Sequence, residues 1–143
     1  MAEPTQHSVS VAAAVVNDVG QVLAIRRRDN GHWELPGGVL ELHETIQEGL
    51  VREVREEVGI VVEAAALTGV YKNMRRGIVA LVFRCRVAGG TPHATDEVTE
   101  VAWLTAAQIC ERMDEAYAVR LLDALESGPT AIRAHDGLTL LSG

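Results

Sequence analysis

Three glutamates, Glu53, Glu56 and Glu57, stand close together in the stretch from Glu44 to Val58, whose composition favours a helix and which Gly59 is placed to stop. With Glu53 set at zero and about 100° per residue, Glu56 falls near 300° and Glu57 near 40°, so the three carboxylates share an arc of about 100°. Ile46, Leu50, Val51, Val54 and Val58 fall between about 20° and 160° on the same wheel and form the stripe expected to be buried. Glu57 lies inside the edge of that stripe, so this acidic face abuts the core and its carboxylates are expected to be partly desolvated. Two carboxylates about 5 Å apart repel by roughly 3 kcal/mol at an effective dielectric near 20. The helical pairs Glu48 with Arg52 and Arg52 with Glu56 return only about 0.3 to 0.5 kcal/mol each. A fully exposed cluster would be tolerated through screening, whereas convergent oxygen donors at the edge of a core suit Mg2+ or Mn2+, hard cations that take carboxylates, carbonyls, water and phosphates. Gly49, near 320° on the same wheel, would leave room for something bulky beside the carboxylates; a glycine tolerated in a helix held by packing is the equal alternative.

That helix needs a frame. Ser8 to Val16 and Gln21 to Arg28 are β-prone and flank the turn signal Asn17-Asp18-Val19-Gly20, which predicts a hairpin. Leu35-Pro36-Gly37-Gly38 reads as a tight loop. Ile60 to Tyr71, Ile78 to Val87 and Val98 to Leu104 read as strands, Ala106 to Met113 and Glu115 to Glu126 as helices, and Thr130 to Gly143 as a short extended tail. Strands first, one acidic helix between, then strands and terminal helices predict an α/β fold in which a mixed β-sheet is covered by helices on both sides.

The 143 residues hold one domain, 1–143, without repeats or linkers. No apolar run approaches the roughly 18 to 20 residues that span a bilayer, and Met1 to Ser10 lacks the pattern of a signal peptide, so a cytoplasmic protein with no membrane partner is expected. The 13 Lys and Arg against 20 Asp and Glu give a net charge of -7, which disfavours long nucleic acid. Cys85 and Cys110 lack metal-ligand spacing and sit in apolar-patterned segments, so both are expected to be buried free thiols. The five histidines share no spacing that would suggest a metal site.

Gly38, five residues, Glu44, seven residues, then Arg52-Glu53-Val54-Arg55-Glu56-Glu57-Val58-Gly59-Ile60 resembles the Nudix box at every fixed position. The approach Trp33-Glu34-Leu35-Pro36-Gly37 is also similar, and the order of elements fits the family's α/β/α sandwich. His43 departs from the glycine that many members carry before the first box glutamate. The resemblance, to a small MutT-like member, implies metal-assisted hydrolysis of a nucleoside diphosphate linked to another moiety. It implies that Glu53, Glu56 and Glu57 hold Mg2+ or Mn2+ with the Gly38 carbonyl or its neighbour, and that Arg52 and Glu44 orient loop and helix by charge pairing. Glu53 or a loop glutamate would be the base. Many small members are homodimers, which sets the same expectation here.

Outside the box, period-two alternation sends Arg26 and Arg28 to one strand face and Arg27 to the other. One of these arginines is a candidate for a bidentate phosphate contact. Arg75 and Arg76 belong to a basic loop, Lys72 to Arg76, whose charge favours an anion-facing role. Trp33 is read as packing in preference to base stacking. Many family members add a carboxylate from a loop before a Trp-containing strand; here Glu97, ahead of Trp103, is favoured over Glu100 as auxiliary metal ligand or base. The downstream residues that mark several subfamilies are missing, so the substrate expected by subtraction is a (deoxy)nucleoside triphosphate, oxidised forms included. ADP-ribose or nucleotide-sugar hydrolysis, a nucleotide sensor without catalysis, and a non-hydrolytic isomerase are the alternatives.

Overall fold

The computed structural model describes residues 5–142. The expectation for Met1 to Ser10 therefore lies partly outside the described residues, as does the end of the tail. In chain order the elements are β1 (Ser8–Val15), β2 (Val22–Arg27), β3 (Trp33–Glu34), β4 (Gly37–Val39), α1 (Ile46–Val58), β5 (Val61–Asn73), β6 (Ile78–Gly89), β7 (Val98–Leu104), α2 (Ala106–Arg112), α3 (Glu115–Leu125), β8 (Ala131–His135) and β9 (Leu140–Leu141). A six-stranded mixed sheet has the order β4-β1-β6-β5-β8-β9, and a three-stranded antiparallel sheet the order β3-β2-β7. Within the larger sheet β1 runs parallel to β6, and β5 parallel to β8. No helix among the described residues is long and apolar enough to cross a membrane.

β1 is an interior strand of the larger sheet, and both of its faces are apolar, as a strand covered on both sides must be. Val11, Ala13 and Val15 pack with Leu50, Val54 and Val58 of α1 and with Leu23 and Ile25 of β2. Ala12 and Ala14 face the opposite way, toward Tyr71, Ile109 and Leu121. Helices therefore cover both sides, as expected.

Four local expectations are corrected. The first two strands do not form a hairpin: apart from a single bridge, Val16 with Val22, they diverge into different sheets, because β1 is claimed by β6 and β4 on its two edges. Gly37 and Gly38 belong to strand β4, and neither has a positive φ. Glycine is needed there for close approach, since a side chain on Gly37 would strike the Val11 carbonyl and one on Gly38 the Glu53 carboxyl. Ile46 opens α1 and is 39% exposed, outside the buried stripe. Cys85 is buried, but Cys110 is exposed on α2.

Candidate active site

α1 starts and stops where its end residues can satisfy the backbone. The Glu48 N–H donates to Thr45 Oγ1 (3.2 Å) and the Thr45 N–H donates to Glu48 Oε1 (2.8 Å), a reciprocal capping box. Glu48 is therefore occupied at the cap and does not pair with Arg52. Gly59, with φ of 76°, closes the helix in the left-handed region. Gly49 gives up its side chain for local packing: a Cβ there would meet Leu40 and the Glu44 carboxylate. The space it leaves is taken by the chain itself.

Arg52 organises the loop before α1. Its guanidinium donates to both oxygens of Glu44 (2.8 and 2.6 Å), to Glu53 Oε1 (2.9 Å), to Glu56 Oε2 (3.4 Å) and to the Val39 carbonyl (3.3 Å). The Glu44 side chain is only 8% exposed. The guanidinium beside it holds its carboxyl well below the usual carboxylate range. Glu44 Oε1 also accepts from the Glu41 N–H (2.9 Å), so one ion pair ties helix, loop and β4 together.

Glu57 turns inward. Its Oε1 accepts from the Gly37 N–H (3.1 Å), and burial pushes its pKa up to about 8 against that hydrogen bond, with Glu53, Glu34 and Glu97 adding repulsion. Burial raises the Glu53 carboxyl as well, partly offset by Arg52. Both glutamates line a cavity of about 480 Å³ together with Gly37, Gly38, Arg27, Arg28 and Glu97. Glu56 stays outside it, more than half exposed and turned to Arg52. Among the described residues no three carboxylate, imidazole or thiol groups already converge to ligating distance. The donor set nevertheless fits a hard divalent cation: two carboxylates desolvated by burial line one cavity beside a glycine strand whose missing side chains admit them, and a bound cation would favour their charged forms.

The arginines are redistributed by a bulge. The pairing of β2 with β7 shifts register between Arg26 and Arg27, which breaks strict alternation. Arg26 turns to Glu100 (3.5 Å) and the Gly31 carbonyl (3.0 Å), on the outside. Arg27 and Arg28 both reach the carboxylate cavity, so sequence alternation separated the wrong pair. Arg27 is tied to Asp29 (2.6 and 2.9 Å) and Glu34 (3.1 Å). Arg28 Nε donates to the Asp96 carbonyl (2.9 Å), and the Arg28 N–H to the Glu97 carbonyl (3.0 Å), fixing the loop that carries Glu97. Glu97 thus lines the cavity, while Glu100 pairs with Arg26 beyond it. Arg75 and Arg76 are exposed at the tip of the β5–β6 hairpin, where their N–H groups donate to Asn73 Oδ1, and they line no part of the carboxylate cavity. Trp33 packs partly against the core, under the Arg112 guanidinium at 5.2 Å.

A second cavity adjoins the first and shares Arg27, Gly37 and Gly38 with it. Arg120, Tyr117 and Asn73 line it, none of which carried a signal in the sequence: α3 shows only an apolar periodicity, and the partners come from β5 and β8.

Residues 6–124 match the NUDIX domain family model. A "MutT-like protein" of Streptomyces ambofaciens is 59% identical over 138 residues, 96% of this chain and 90% of that protein. The "8-oxo-dGDP phosphatase NUDT18" of Mus musculus is 31% identical over 92% of this chain, which spans only 36% of that longer protein. Among solved structures, an ADP-ribose pyrophosphatase from Streptococcus suis superposes with a TM-score of 0.73 at 21% identity, over 89% of this chain and 99% of the other.

Proposed function

The chain belongs to the Nudix family of hydrolases, enzymes that act on phosphorus-containing anhydrides, and from that premise we propose that it is a Mg2+-dependent pyrophosphohydrolase of (deoxy)nucleoside triphosphates, oxidised forms included. The single observation that carries this reading is the pair Glu53 and Glu57, both desolvated by burial, in one cavity with Arg27 and Arg28. We assign Glu53 and Glu57 as metal-holding residues, with Glu56 beside them on α1 and the Gly38 backbone as a further donor. Bound Mg2+ would supply charge neutralisation and Lewis-acid activation of the diphosphate. Arg52 and Glu44 position Glu53 through their ion pair. Arg27 and Arg28 offer guanidinium groups to the phosphate oxygens. Glu97, fixed by Arg28 at the cavity wall, receives the proton of the attacking water.

The alternative, ADP-ribose hydrolysis, draws on the fold likeness to the Streptococcus suis enzyme. A panel of triphosphates, ADP-ribose, nucleotide sugars and dinucleoside polyphosphates, with products identified and with EDTA controls, tests the reading. Triphosphates should be cleaved fastest, to monophosphate and pyrophosphate, and EDTA should abolish turnover. Activity retained in EDTA overturns the metal assignment, and faster ADP-ribose cleavage overturns the substrate.

Glu97 and Glu100 provide an internal comparison. Glu97→Gln should lower kcat by about 100-fold or more, within the range that general base catalysis supplies, whereas Glu100→Gln should stay within threefold of wild type. A loss under threefold in Glu97→Gln, or the larger loss in Glu100→Gln, refutes the assignment. The homodimer implied by the family resemblance predicts a two-chain mass by light scattering at micromolar concentration, and a one-chain mass refutes it.

A further inference from the structure

The second cavity, about 230 Å³, is lined by residues of β1, β4, the β5–β6 hairpin and α3. It shares Arg27, Gly37 and Gly38 with the carboxylate cavity, so the two adjoin. The Arg120 guanidinium lies over the rings of Tyr117 (4.9 Å) and Tyr71 (5.2 Å). Its Nε is buried with no partner among the described residues, and its Nη2 stands 3.0 Å from His135 Nε2.

That last contact leaves the guanidinium short of acceptors. The Gly137 N–H faces His135 Nδ1 (3.0 Å) while Arg120 faces Nε2, and a neutral imidazole has a single acceptor nitrogen, so the ring can satisfy only one of these two donors. Burial of His135 favours the neutral ring. Two donors compete for one acceptor, and a guanidinium has no acceptor of its own. The cluster is short of hydrogen-bond acceptors, at the wall of an open cavity. On the same wall, Glu34 uses one oxygen for Arg27 (3.1 Å), and its second oxygen has no hydrogen bond among the described residues.

We propose that Arg120 is the residue that reads the substrate's base, and that the cavity selects a purine bearing a ring carbonyl, whose oxygen accepts from the guanidinium while Glu34 accepts from the adjacent ring N–H. This rests on the nucleotide pyrophosphohydrolase reading above and deepens it. An oxopurine edge presents a carbonyl acceptor beside an N–H donor, which complements an arginine next to a carboxylate. A 6-aminopurine presents the reverse, setting its amino group against Arg120 and its bare ring nitrogen against Glu34. An arginine fork on a purine edge discriminates by about 5- to 150-fold.

ITP and ATP differ only at this edge, so their kcat/KM ratio tests the proposal, with both substrates assayed on the same enzyme preparation. The wild type should favour ITP at least fivefold, through KM more than kcat. Arg120→Met should bring the ratio near one, and Arg120→Lys should not restore it, because an ammonium lacks the planar fork. Calorimetry with IMP and AMP in EDTA should show the same preference without turnover. Equal use of ITP and ATP by the wild type, or a preference that survives in Arg120→Met, overturns the inference and leaves the pyrophosphohydrolase reading intact. Failure to cleave any nucleoside triphosphate overturns both.

Discussion

Glu57→Gln should reduce turnover by more than the roughly 10- to 100-fold that loss of an outer-shell partner costs a metal site, while the protein remains folded. The side chain is almost fully buried and touches the backbone of β4 through one hydrogen bond, which the glutamine amide oxygen can still accept. What is removed is the charge that a divalent ion would need. The same substitution has a second, opposite effect without metal. The folded-state pKa of Glu57 is raised to about 8, above its unfolded value of about 4.3. The folded protein therefore binds the extra proton, and this contribution to stability is fully present below about pH 4.3 and lost as pH rises through about 8. Glutamine carries no such penalty. In EDTA the melting temperature of Glu57→Gln should match wild type near pH 4 and exceed it near pH 9, and thermal denaturation at the two pH values checks this. Wild-type turnover in the variant, or a gap that narrows with rising pH, contradicts the assignment.

The second large effect is expected at Arg52. Its guanidinium is the common partner of Glu44, Glu53 and Glu56, and Glu44 is nearly buried beside it. Arg52→Met removes the cation and leaves those carboxylates facing one another at the edge of the core, where an unpaired charge is strongly unfavourable. Glu53 also loses the hydrogen bond that sets its direction. Displacement of such a group by about 1 Å costs on the order of 100-fold in rate. The expected outcome is a melting temperature several degrees lower at pH 7, a kcat/KM reduced about 100-fold, and partial recovery of stability at low pH as the stranded carboxylates protonate. Arg52→Lys should keep part of the stability and little of the activity, since an ammonium cannot bridge three carboxylates in fixed directions. Activity within threefold of wild type in Arg52→Met would show that Glu53 is held by something else.

The sequence by itself determined the helix and the arc that its carboxylates share. Spacing along one helix is local geometry, so the placement of Glu53 and Glu57 at the margin of the stripe formed by Leu50, Val54 and Val58 needed no tertiary information. The box spacing from Gly38 to Ile60 and the alternation of strand and helix patterns carried the family and the α/β layers in the same way. What only the tertiary structure decided was everything set by partners distant in the chain. Glu48 was free to pair with Arg52 on a wheel, but the helix end claimed it as a cap. Gly37 and Gly38 read as turn residues, yet their lack of a side chain serves the close approach of β4 to β1 and of Glu53 to β4. The bulge opposite β7 exchanged the roles of Arg26 and Arg27, because a one-residue register shift reverses which face a side chain takes. Arg120, Tyr117, Tyr71 and His135 come from three separate elements and meet only when β8 joins β5 in parallel beneath α3. No periodicity within any one of those segments encodes that meeting, since the groups around Arg120 lie up to 49 residues away along the chain, from Tyr71 to Arg120.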